Sequence, residues 1–201
     1  MLGNSPVFLF LLVCAVGLGW LVVIFNRLVA LNARVANAYA QIDVQFKRRY
    51  DLIPNLVEVA REYMGHERQT LEAVIVARNS AARARAAAAS NPADAEVMAT
   101  LSTAEGGVAG ALRRLSAVAE SYPDLKASAN LAQLSEELTS TENKVAFARQ
   151  AFNDAVMNLN TGVRSFPAVI FAARFGFKEA GMLEAIGAAN ERQAPDIKLR
   201  A

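Results

Sequence analysis

The residues able to do chemistry are few. His66-Glu67-Arg68-Gln69-Thr70-Leu71 sets a histidine before a glutamate, the order in which sensor kinases place a phosphorylated histidine. No glycine-rich ATP-binding segment follows, and an all-helical reading leaves no space for one, so His66 is expected to be a plain surface side chain. A metal-binding helical bundle would need Glu-x-x-His on two helices, which a single histidine cannot supply. Zinc chemistry and Ser-His-Asp or Cys-His nucleophilic sets fail for the same reason, since His66 is the sole imidazole and Cys14 lies in an apolar run. Gly106-Gly107 lacks the Lys-Ser/Thr of a phosphate loop. The expectation is a chain with no catalytic, metal or cofactor-binding residues, not an enzyme.

Charges that interrupt apolar stripes are more informative. Glu67 and Arg78 continue one helical stripe in register, and Glu105 sits on another. A buried charge is costly unless paired, so these are expected either to meet one another between helices or to sit at the rim with their ends in water. Glu142 and Arg149 are further candidates for polar pairs within the bundle. Lys47-Arg48-Arg49 could touch a membrane surface, yet it lies over twenty residues past Phe25. That is roughly 30 Å along a straight helix, against a screening length of about 8 Å. A protein partner or internal carboxylates suit it better. Lys47, Arg48, Arg49, Asp51, Pro54 and Asn55 are the candidate interaction surface or hinge.

The elements that must position these residues are helical. Residues 7–25 read VFLFLLVCAVGLGWLVVIF without a charge, roughly 28 Å of helix and close to the ~30 Å hydrocarbon thickness of a bilayer. No basic n-region precedes this run, and the small-x-small site Ala36-Asn37-Ala38 lies beyond Arg27 and Arg34, so an anchor is favoured over a cleaved signal peptide. Basic residues are retained in the cytoplasm, which places the N-terminus outside and the body inside.

Beyond the span, apolar residues recur at steps of three and four. One stripe runs from Leu28 to Phe46, and Pro54 marks a kink or tight break that keeps the two parts roughly collinear. A second runs from Ile53 through Met64, Leu71 and Ile75 to Ser90. Asn91, Pro92 and Asp94 suit a helix cap, its first turn and the helix dipole. A third stripe follows at Met98, Leu101, Glu105, Val108, Leu112, Leu115, Ala119 and Tyr122. A fourth, after the break at Tyr122-Pro123-Asp124, runs from Leu131 to Leu159 and closes at Thr161-Gly162. Gly106, Gly107 and Gly110 are read as sites where a neighbouring backbone comes close. Residues 166–177 carry four of the ten Phe and are expected to form a short helix capping one end, with a membrane-interface or partner-binding segment as the alternative.

The whole reads as an all-α chain: a single N-terminal transmembrane helix, then an elongated antiparallel bundle of three to four long helices with a short C-terminal helix. Its parts are a short extracytoplasmic N-terminus (1–6), a transmembrane helix (7–25), a helical bundle (26–190) and a loose tail (191–201). The 201 residues are 54% hydrophobic with one Cys, which excludes a disordered chain and a disulfide framework. Twenty-one basic and 19 acidic residues nearly balance, which argues against nucleic acid as a partner.

Val44-Gln45-Phe46-Lys47-Arg48-Arg49-Tyr50-Asp51-Leu52-Ile53-Pro54-Asn55-Leu56-Val57 resembles the LemA family. So, in order and spacing, do Glu67, Ala77-Arg78, Tyr122-Pro123-Asp124-Leu125-Lys126, Glu142-Asn143, Ala148-Arg149, Phe152-Asn153, Asn160, Phe166-Pro167 and Gly176-Phe177. The resemblance implies a short outer N-terminus, one membrane helix, a helical cytoplasmic domain and a bacterial inner-membrane location. It supplies no agreed activity and no catalytic residues. The arginine-dotted stretch from Ala81 to Ala89 departs from it and is read as a variable connector. The resulting expectation is a membrane-anchored helical scaffold or adaptor, working as a homo-oligomer or through a membrane-protein partner. The alternative is a non-enzymatic component of a transport or envelope-remodelling complex.

Overall fold

The computed structural model describes residues 5–184, so the loose tail at 191–201 and most of the short N-terminus lie outside the described residues. Among the described residues six helices follow in order: α1 (Ser5–Tyr63), α2 (Arg68–Ser90), α3 (Ala95–Ala119), α4 (Pro123–Lys126), α5 (Ala129–Arg164) and α6 (Ala168–Phe171). There is no strand among the described residues.

α1 is 59 residues long, about 88 Å at 1.5 Å per residue. Its first part is apolar all round and none of its most apolar window is buried, so it is long and apolar enough to cross a membrane. Burial begins at Ile24 and then follows the helical period through Leu28, Leu31, Val35, Ile42, Phe46 and Ile53. One uninterrupted helix therefore changes surroundings along its length. It also passes through Pro54 without a break and ends at Tyr63.

The stop comes at a turn over residues 64–67, where the Glu67 amide donates to the Met64 carbonyl at 2.9 Å. The second stripe, expected to run on to Ser90, is thus two helices. Met64 and Leu71 are seven residues apart, two helical turns, so the stripe keeps its phase across the turn. Between α2 and α3 the cap is Asp94 rather than Asn91: its carboxylate accepts from the amides of Glu96 at 2.9 Å and Val97 at 3.1 Å. Asn91 instead closes α2, donating from its backbone amide to the Ala88 carbonyl.

α1 packs against α5 and α2, and α3 packs against α2. Both partners of α1 run opposite to it. Gly162 of α5 lies on Leu28 and Leu31, while Phe152 meets Tyr39 edge-on at 6.0 Å. On α2, the Arg85 carbonyl accepts from the Tyr39 hydroxyl at 3.1 Å, while Arg78 reaches back to Tyr50.

Three expectations are corrected by this packing. The stretch from Ala81 to Ala89 is no connector but core, with Ala81, Ala84 and Ala88 buried, because a side chain of one carbon lets α2 approach closely. Gly106, Gly107 and Gly110 face open space, since a Cβ on any of them would meet nothing within 4 Å. Gly162 does not end α5 but lets it pass Leu31, whose Cδ1 would lie 2.7 Å from an added Cβ.

After α5 the chain forms the short helix expected after Pro167, the four-residue α6, and reverses through Gly176 at φ 83°. It then returns along α5 as an extended segment. Asn160 and Asn153 each grip one residue of it by both backbone groups, Ala180 at 2.8 and 3.0 Å and Leu183 at 2.9 and 3.1 Å. The Gly181 amide donates to the Ala93 carbonyl and the Glu184 amide to the Ser102 hydroxyl, so the segment ties α3 to α5.

Candidate functional site

Helical geometry divides the block at residues 47–55. Lys47, Arg48, Asp51, Pro54 and Asn55 are exposed, whereas Arg49 and Tyr50 fall on the buried face with Phe46 and Ile53. Arg49 is thus an arginine in the core. It forms an ion pair with Glu105 of α3, and both side chains are only 3% exposed. Its guanidinium lies 5.5 Å from the Phe46 ring centre and 5.8 Å from that of Tyr50, positions that favour cation–π attraction. The Tyr50 hydroxyl donates to the other Glu105 oxygen.

Burial sets the electrostatics of this group. It pulls the Arg49 guanidinium below its usual pKa, opposed by Tyr50 and by the nearby Glu142 carboxylate. It pushes the Tyr50 phenol up to about 12, with the Arg49 and Arg85 guanidiniums acting the other way. Tyr50 therefore stays protonated at neutral pH and donates to the carboxylate. The three side chains pair with one another and join α3 to α1, although Nε of Arg49 has no hydrogen-bond partner.

Pro54 has a consequence four residues upstream. In a helix the amide of residue 54 would bond the carbonyl of residue 50, and proline has no amide to give. The carbonyl left over is Tyr50's, and Nε of Arg78 donates to it at 3.0 Å. An arginine of α2 thereby replaces the hydrogen bond that Pro54 removes. Arg78 also bonds Asn79 and reaches to 4.0 Å from Asp51.

The other charged candidates divide between the two expectations: Glu67 and Arg78 are half-buried at the rim, whereas Glu105 is buried. Glu67 accepts from Tyr122 at 3.5 Å, at the turn between α1 and α2. Glu105 pairs with Arg49 rather than with Glu67 or Arg78. Glu142 lines a cleft of about 410 Å³ among α1, α3 and α5, whose walls include Arg49, Arg113, Leu112, Leu138 and Leu125 of α4. Arg149 lies by a small recess beside Phe46 and Glu105. His66 is exposed in the turn after α1, off the helix on which it was placed.

One further pair was not anticipated: Arg85 contacts both oxygens of Asp43 at 2.7 and 2.8 Å. Asp43 stands beside the apolar stripe of α1, and Arg85 interrupts the alanine face of α2, so each breaks a pattern without naming its partner. Among the described residues, no group of three or more His, Cys, Asp or Glu is placed to hold a metal ion.

Compared with known proteins, the chain matches the LemA family model over residues 38–199. The match begins past the apolar segment and takes in the whole Arg49–Glu105–Tyr50–Arg78 group. A comparison with curated proteins finds no match.

Proposed function

The chain belongs to the LemA family over residues 38–199, and from that premise we propose that it is a non-enzymatic, membrane-anchored scaffold built on one rod. Residues 7–25 cross the inner membrane with the N-terminus outside, and the helices from residue 26 onward form an antiparallel bundle on the cytoplasmic side. The observation that carries this reading is the continuity of α1, exposed and apolar over its first part and the central core element over its second. A helix without a joint holds the body at a fixed height and direction relative to the lipid, which is what a scaffold requires. A flexible linker would give up that constraint.

The side chains on the outer face of α1 suit a protein partner. Lys47, Arg48, Asp51 and Asn55 are exposed there in mixed charge, backed by an interior in which Arg49 is paired with Glu105. The partner is a membrane protein or a further copy of the chain; no nucleic acid and no cofactor is involved. Crosslinking in native membranes followed by mild extraction tests this. It should recover a defined oligomer or a specific membrane protein, and the double substitution K47E/R48E should abolish it. A lone monomer under the same conditions contradicts the scaffold reading.

A further inference from the structure

The segment after α5 lies beside the point where α1 leaves its exposed apolar stretch. Gly162 sits on Leu28 and Leu31, and α5 runs opposite to α1. At 1.5 Å per residue, the two residues to Arg164 bring the chain about 3 Å further, close to the level of Phe25. The aromatic contacts agree: the Phe25 ring meets Phe175 edge-on at 5.4 Å and Phe177 at 5.7 Å. Here Phe166, Val169, Ile170 and Phe175 stand 78%, 52%, 61% and 41% exposed. Four large apolar side chains left open within ten residues form a patch that needs a cover.

What covers it follows from its neighbours. The patch is continuous through Phe25 with the apolar surface of residues 7–23, which is exposed along nearly its whole length. It is bordered by the exposed basic side chains Arg27, Arg174 and Lys178, the arrangement that suits the boundary between acyl chains and anionic headgroups. We infer that residues 166–177 are a second membrane contact, a foot whose Phe166, Val169 and Ile170 lie in the bilayer interface beside the anchor. This rests on the anchored reading above and adds to it. A single spanning helix leaves the body free to rotate about the helix axis, whereas a second contact to one side fixes which face of the body is turned to the lipid.

The test uses the full chain in nanodiscs whose lipids carry bromine high on the acyl chain. Trp20 is the sole tryptophan, and its quenching in the unaltered protein reports the anchor. In a W20F background, I170W and F166W each place one tryptophan on the foot. F147W places one on α5 at a position 76% exposed and fifteen residues, about 22 Å, from Gly162. The foot predicts quenching of I170W or F166W at least threefold stronger than that of F147W. If both are quenched no more than F147W while Trp20 is quenched, the foot is wrong and the anchor stands, which is also the outcome if a second copy covers the patch. An unquenched Trp20 overturns the anchored reading itself.

Discussion

At the scale of single residues, Pro54 and Arg78 act as one device. The carbonyl of Tyr50 is deprived of its helical partner by the one and given another by the other. R78A should therefore cost about 1.5–3 kcal/mol, the value of a hydrogen bond from a charged donor. In P54A, where the restored backbone amide takes back the Tyr50 carbonyl, the same substitution should cost about 1 kcal/mol less, a coupling that urea unfolding of the four variants would measure. Additive losses would break the link. The Arg49–Glu105 pair makes a sharper contrast. E105L leaves a buried guanidinium without its carboxylate and should cost about 3–5 kcal/mol, while R49M/E105L/Y50F, which removes the guanidinium, the carboxylate and the hydroxyl together, should regain most of that. Unfolding midpoints in detergent would separate the two. Half of this site was legible in the sequence. Glu105 declares itself by falling on an apolar stripe. Arg49 stands three residues after Phe46 and four before Ile53, on the same face, and internal carboxylates were among the partners expected for its basic run, but the run did not single out which of the three turns inward. The Arg78 bond to a backbone carbonyl was hidden, because a proline names the carbonyl it frees but not the side chain that answers.

At the scale of elements, apolar spacing located α3 and α5 well and failed where its assumptions failed. Met98, Leu101, Glu105, Val108 and Leu115 are the buried positions of α3, as the three-and-four rhythm requires. The turn at residues 64–67 was invisible because Met64 and Leu71 keep helical phase across it. The second half of the core face of α2 was hidden because its buried positions, Ala81, Ala84 and Ala88, lie in a stretch that is mostly alanine, where none stands out. The glycines show the same limit from the other side, since composition marks them all alike and only packing separates them. A methyl group added at Gly181 would collide with the Cα of Ala95, a backbone atom that cannot turn aside, whereas at Gly162 the obstacle is the end of the Leu31 side chain. G181A should thus cost about 1–3 kcal/mol and G162A less. G106A, G107A and G110A should each stabilise the chain by up to about 1 kcal/mol, because they meet nothing and limit the unfolded backbone. Thermal unfolding of the five variants would test that order, and a loss at Gly106 equal to that at Gly181 would contradict it.

At the scale of the whole molecule, the chain is organised around one long rod. Its N-terminal third presents apolar surface outward, and the rest gathers α2 and α5 around itself, with α3 held to them by α2 and by the returning segment at 177–184. An all-helical chain with an apolar N-terminal helix was plain from hydropathy and spacing, because both are properties of local sequence. The return of the C-terminal segment along α5 was not, since it is held by Asn153 and Asn160 through backbone groups that every residue carries. The central claim is that the exposed apolar stretch and the body-forming stretch are a single unbroken helix. Hydrogen–deuterium exchange of the full chain in nanodiscs measures this directly. Slow exchange should extend without a gap from residue 7 to about residue 60, across both Phe25 and Pro54. A fast-exchanging interval between residues 25 and 35, with protected segments on either side, would mean a hinged tether and would contradict the account.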